Sequence, residues 1–424
     1  MNRVGLYSSP VMPLLDTFLI ALMVAVAFVW ATLSAYVLTV QGRRRRVRAT
    51  VSAAIAELGR ADVERLPLAD KVARIRQLLD GASRELIMHA ATDGQTPSDA
   101  VDVLAAYLVE RWGMTALERD AASHRTARDK WRRMKALQIL AHREHARSIE
   151  FLAEAVDGSD SDLAAVALSL LGSSKNPDAA EILFDALKRR GHLASQVAVY
   201  LDRSPHHLAE RLRTLLNDSD PVVRFWAATL LGRYLDVDGL ERDLAALADD
   251  GDARVRKAAV LSLGQIGETF AGVVALRLLN DPVPFVRASA ARALGTLGRE
   301  DLAGEVAALL GDRDWWVRFA AKECLESLGA EVWPVLVRLL DDPDRFVRNG
   351  AAEVFQNLGV LDSFILMEAA TDDPADAKID MLRRISRAGG LRLTDSLLER
   401  AGATLGPRVR RLLETIGLEH VGAA

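Results

Sequence analysis

The residues best suited to chemistry in this 424-residue chain are few. His142 and His145, with Glu144 between them, have a spacing that could place both imidazoles on one helix face. A metal ion there would need a third ligand, and none stands in a convincing register, so the pair reads as solvated side chains. His206 and His207 follow Pro205 and read as a turn or helix start. No glycine loop is followed by lysine and serine or threonine, so a phosphate cradle is not expected. The chain holds no His-Glu dipeptide, and Cys324 is its only cysteine, which excludes an intrachain disulfide and a cysteine zinc cluster. No catalytic residue, metal or cofactor is expected.

A second set of polar residues is regular. Arg224, Arg256, Arg287, Arg318 and Arg348 each follow a valine, at separations of 32, 31, 31 and 30. Three residues after each stands an alanine: Ala227, Ala259, Ala290, Ala321 and Ala351. Six residues before each stands an aspartate: Asp218, Asp250, Asp281, Asp312 and Asp342. A charge pair that recurs at a fixed period is what stacking requires, and a unique active site does not. The frame extends with decay through Arg133, Ala164 and Ser195 upstream, and through Ile379 (with Asp373) and Arg410 downstream. Roughly ten units therefore run from about residue 120 to the end of the chain.

Each unit must supply two helices to hold these positions. The first follows an aspartate, as at Asp220-Pro221, where the carboxylate accepts free N–H groups and proline has none to waste. Gly232, Gly264, Gly295, Gly329 and Gly359 are expected near its end. The second closes on paired leucines: Leu215-Leu216, Leu278-Leu279, Leu309-Leu310 and Leu339-Leu340. No unit buries its apolar stripe alone, so the units must stack. The pattern D-x-x-x-x-V-R-x-x-A-x-x-x-L-G resembles the HEAT-repeat family, in the variant also found in bacterial phycobilin-lyase-like proteins. The resemblance is strong from Asp218 to Gly359. It implies an all-α, right-handed α-solenoid in which the five aspartates and five arginines form a ladder between stacked loops.

The N-terminus carries a different signal. Between Asp16 and Arg43 no charged residue occurs. As a helix, residues 17–42 would span roughly 39 Å, more than the ~30 Å hydrocarbon core of a bilayer. Arg43, Arg44, Arg45, Arg46 and Arg48 follow, and only Arg3 precedes. The positive-inside rule then puts the remainder in the cytoplasm. The expected organisation is an outer tail (1–13), a transmembrane helix (14–42), a basic flank and helical connector (43–119) and the solenoid (120–424). In the connector, Thr96-Pro97-Ser98-Asp99 starts one helix, and Val72, Ile75, Leu78 and Leu79 mark another.

Aromatic residues, 5% of the chain, concentrate late: Phe285, Trp316 and Phe346 sit two residues before ladder arginines, with Trp315 and Trp333 nearby. Large rings commonly fill gaps between packed elements. Adjacent helical residues point about 100° apart, so Trp315 is expected outward and Trp316, sharing its position with Phe285 and Phe346, inward. Exposed members would be partner-binding anchors. Net charge is −4, which argues against a broad nucleic-acid footprint. The chain thus reads as a scaffold rather than an enzyme, held in the inner membrane by a lipid-embedded helix and binding a membrane-associated protein. Envelope-polysaccharide glycosyltransferase machinery is one partner such architectures suggest. The alternative is an enzyme or enzyme subunit of the lyase-like type.

Overall fold

The computed structural model describes Trp30 and residues 49–416, apart from 124–126, 190–192, 236, 268, 371–375 and 390–394. The apolar run and its arginines Arg43, Arg44, Arg45, Arg46 and Arg48 lie outside the described residues; Trp30 alone of that run is described, as helical and exposed. Among the described residues every regular element is helical, and no helix is long and apolar enough to cross a membrane. The chain forms two compact units, Met1–Ala179 and Ala180–Ala424, a division that falls inside the array of repeats.

In the first unit, helices Leu68–Arg76 and Ser98–Trp112 pack together, burying Val72, Ile75, Leu104 and Leu108, while Leu78 turns outward. Helix Ala127–His142 then packs on Ser148–Asp157 and Ser161–Gly172. Asp160 caps the last of these, accepting from the N–H groups of Asp162 and Leu163, and Lys130 reaches it at 2.9 Å.

The second unit is a two-layer stack. Its first-helix layer contains α1 (Pro221–Leu231), α2 (Ala253–Ile266), α3 (Pro284–Thr296), α4 (Trp315–Ser327) and α5 (Arg345–Asn357), each packed on the next. Shorter second helices, among them Leu240–Ala246, Thr269–Leu278 and Trp333–Leu339, form the other layer. The sequence explains the starts. Asp220, Asp252, Asp314 and Asp344 each accept the N–H two residues on, while α3 begins after Val283 with Pro284 in its first turn instead.

Close stacking follows from small side chains. All five repeat alanines are fully buried. Two of the glycines expected near helix ends also bring neighbouring helices together. Gly264 and Gly295 lie inside α2 and α3; a Cβ on Gly264 would sit 3.0 Å from the Cα of Ala293, and one on Gly295 3.2 Å from that of Cys324. They let neighbouring first helices touch backbone to backbone. The left-handed turn residues are Gly267 and Gly298, three positions later. Downstream, helix Asp376–Gly389 continues the stack on α5, but Asp373, expected to extend the ladder, lies outside the described residues.

Candidate functional site

The repeat arginines build a ladder that closes three times. Arg224 donates Nε and Nη2 to the two oxygens of Asp250 at 2.7 and 2.9 Å. Arg256 binds Asp281 the same way, at 2.7 and 2.9 Å, and Arg287 binds Asp312 at 2.8 Å twice. Each arginine also donates Nη1 to the carbonyl of its own repeat's aspartate: Asp218, Asp250 and Asp281. Each aspartate in turn accepts a backbone N–H two residues on, from Asp252, Val283 and Asp314. One carboxylate thus joins two repeats and shapes the loop before the next helix.

The electrostatics agree. The hydrogen bonds from Arg224 hold the Asp250 carboxyl below its ordinary range. Burial by itself would raise Asp281 and Asp312, but Arg256 and Arg287, helped by the N–H groups of Val283 and Asp314, outweigh it and hold both low. Arg254 lowers the capping carboxyl of Asp252 to about 2.

The fourth rung is open. Arg318 donates Nη1 to the carbonyl of Asp312 at 2.8 Å, as its counterparts do, but makes no ion pair with Asp342. Its guanidinium lies over the ring of Phe346 instead, 4.5 Å from the centroid. The closed rungs join residues 26, 25 and 25 apart; Arg318 and Asp342 are 24 apart. The missing residue falls in the turn after Gly329, which reaches Leu339 in one step fewer than Gly298 reaches Leu309.

Phe346, at this open rung, is one of several aromatic residues that face outward on three consecutive repeats. Phe285, Trp315, Trp316, Phe319 and Phe346 are between 39% and 54% exposed. The expectation that Trp316 points inward is wrong. It is 53% exposed beside Trp315 at 54%, and the two rings stack at 3.8 Å. Position explains this. Two residues before the ladder arginine is the first turn of the helix, where valine one residue later (Val286, Val317, Val347) takes the buried direction. Phe285, Trp316 and Phe346 therefore form a row along the starts of α3, α4 and α5. Phe346 is also flanked by Arg345, 4.8 Å from its centroid, and Lys322 lies 5.7 Å from that of Phe319. Trp333 does not join the row; half-buried, it packs edge-on against Phe355 and fills a gap between helices. Phe319, on the same face one turn below the tryptophans, completes the patch through its spacing from Trp315.

The first unit holds an open cleft of about 940 Å³, lined in part by Thr92, Thr96, Asp102, His142, His145 and Lys175. The two histidines do not share a helix face. Helix Ala127–His142 ends at the first, and they engage different carboxylates, His142 with Asp102 at 3.0 Å and His145 with Glu118 at 3.6 Å. Thr92 and Thr96 donate their hydroxyls to backbone carbonyls. Among the described residues no group of three histidine, cysteine or acidic side chains is placed to hold a metal.

Fold and surface together define a helical-repeat protein with an internal charge ladder and an exposed aromatic row. Its residues 208–276 and 273–356, the stretch that contains the ladder, match the family model of HEAT repeats. No curated protein matches the sequence. Among solved structures, the chain is similar to the complex of CpcE and CpcF of phycocyanin lyase from Nostoc (22% identity, TM-score 0.31), over 50% of this chain and 96% of that one. An engineered protein matches at 19% identity and a TM-score of 0.35, over 87% and 98% of the two chains. Kap121p matches at 14% identity and 0.49, over 86% of this chain and 47% of its own.

Proposed function

We propose that this protein is a scaffold, not an enzyme, that binds a protein partner along the exposed row from Phe285 to Phe346. One observation carries the reading: five large aromatic side chains stand exposed together on the most regular repeats. A patch of that kind is costly in water unless something covers it. Stacked repeats also hold it rigidly, so little order is lost on binding. Trp315 and Trp316 are the anchors, since tryptophan is enriched where binding energy concentrates.

The membrane part of the proposal rests on sequence. Residues 17–42 are long and apolar enough to span a bilayer, and the arginines after them favour a cytoplasmic array. Anchoring raises the local concentration of the array toward membrane-bound partners, of which envelope-polysaccharide glycosyltransferase machinery is one. A cytoplasm-active reporter fused to the C-terminus should give signal, and silence there would reverse the topology. The partner role is tested by Trp315→Ala/Trp316→Ala in the full chain. Cross-linking in membranes should lose its adducts while the repeats stay folded; an unchanged set of adducts would move the docking face elsewhere.

A further inference from the structure

The open rung and the aromatic row occupy the same place, and this points to the chemistry of the partner. In three consecutive repeats the Nε–Nη2 edge of the ladder arginine holds a carboxylate in two parallel hydrogen bonds. At Arg318 neither atom of that edge has a carboxylate, and neither is a fully buried polar atom without a partner. The guanidinium lies over the ring of Phe346, 4.5 Å from its centroid, and only its Nη1 donates a hydrogen bond. Nearby Arg313 and Arg345 are exposed and make no ion pair. On the acidic side, Asp314 and Asp344 cap helices, and Asp342 accepts the Asp344 N–H.

We propose that the open rung is closed in trans. An aspartate or glutamate in an extended segment of a partner protein takes the Nε–Nη2 edge of Arg318. Its apolar neighbours lie over Phe346 on one side and over Trp316 and Phe285 on the other. The proposal rests on the docking reading above and names what docks. The spacing suits an extended chain: packed helices lie about 8–10 Å apart, and a strand or polyproline helix advances about 3.1–3.4 Å per residue, so every third residue meets one repeat. An arginine fork prefers a planar carboxylate and binds it in both hydrogen bonds. An anionic bilayer is the competing occupant, and the vesicle arm of the test separates it from a peptide.

The test uses the full chain in phosphatidylcholine nanodiscs and a phage-displayed library of random 12-residue peptides. Enriched peptides should share an acidic residue within about three positions of an aromatic residue or proline. A synthetic copy should lose about tenfold in affinity against Arg318→Gln, and nearly as much against Arg318→Lys, which keeps the charge without the fork. Changing the peptide's acid to its amide should cost the same against the native chain and nothing further against Arg318→Gln. Melting followed by circular dichroism confirms that both variants fold. Peptides that need Trp315 and Trp316 but bind Arg318→Gln equally well would overturn the rung proposal and leave the docking face intact. A selection with no enrichment, or tryptophan-dependent flotation with phosphatidylserine vesicles in place of peptide binding, would overturn both.

Discussion

The repeats around Arg224, Arg256 and Arg287 and the repeat around Arg318 are built on one pattern and differ by one or two residues of chain length. Where the span from arginine to aspartate is 26 or 25 residues, the carboxylate crosses to the neighbouring repeat and the arginine's fork is filled. Where it is 24, the guanidinium stacks on an aromatic ring and the surface turns apolar. The contrast teaches that a periodic motif can be structural in most of its copies and available for recognition in one. Chain length in a turn decides which.

The largest way to break the contrast is acid. Asp250, Asp281 and Asp312 have carboxyls held below their unfolded value near 4. Their stabilisation is fully present above pH ~4 and is lost as pH falls through the lowered folded values; the Asp252 cap is lost as pH falls to about 2. Thermal unfolding of the second unit should therefore weaken steeply between pH 4 and 2. A melting temperature that is flat across that range would mean the closed rungs contribute nothing.

Next in size is a single rung. Arg256→Ala leaves Asp281, whose side chain is only 3% exposed, without its partner. We expect a loss of about 3 kcal/mol in denaturant unfolding. Arg318→Ala removes its Nη1 hydrogen bonds to the carbonyls of Asp312 and Arg313 and a ring contact, and should cost about 1 kcal/mol. Equal losses at the two positions would erase the distinction between closed and open rungs. Gly264→Val tests the stacking beneath both: its side chain would press on Ala293 and should cost about 2–3 kcal/mol. The smallest effect on stability belongs to the row. Trp315→Ala should stay within about 1 kcal/mol, because the ring is already half in water. A larger loss would mark it as structural.

Much of this was legible in the sequence, for reasons that also set the limit. Val-Arg with alanine three residues on reports helix period and close approach together, so α1 to α5 and their buried alanines follow directly. The ladder comes only from the resemblance, which does not say which aspartate each arginine takes or at what distance. A one-residue change in a turn looks like ordinary drift in the repeat until the geometry shows that it parts Arg318 from Asp342. The orientation of Trp316 was missed because shared repeat position was read as shared core; Val317 next to it holds the buried direction. Gly264 and Gly295 stand near the ends of α2 and α3, as expected, but the sequence does not show that they are also contact points. Only the neighbouring backbone at Ala293 and Cys324 reveals the second use. The histidines separated because their helix stops at His142, a boundary no local residue announces.

The close approach at Gly295 has an experimental use. It shuts Cys324 between α3 and α4, where burial pushes the thiol up to about 12 and leaves it 2% exposed. A thiol in that state is a poor nucleophile. As the chain's only cysteine, it is a built-in clock: alkylation of the native protein must wait for neighbouring repeats to part. The rate then reports how often the stack breathes beside the open rung, and a ligand that bridges α4 and α5 should slow it.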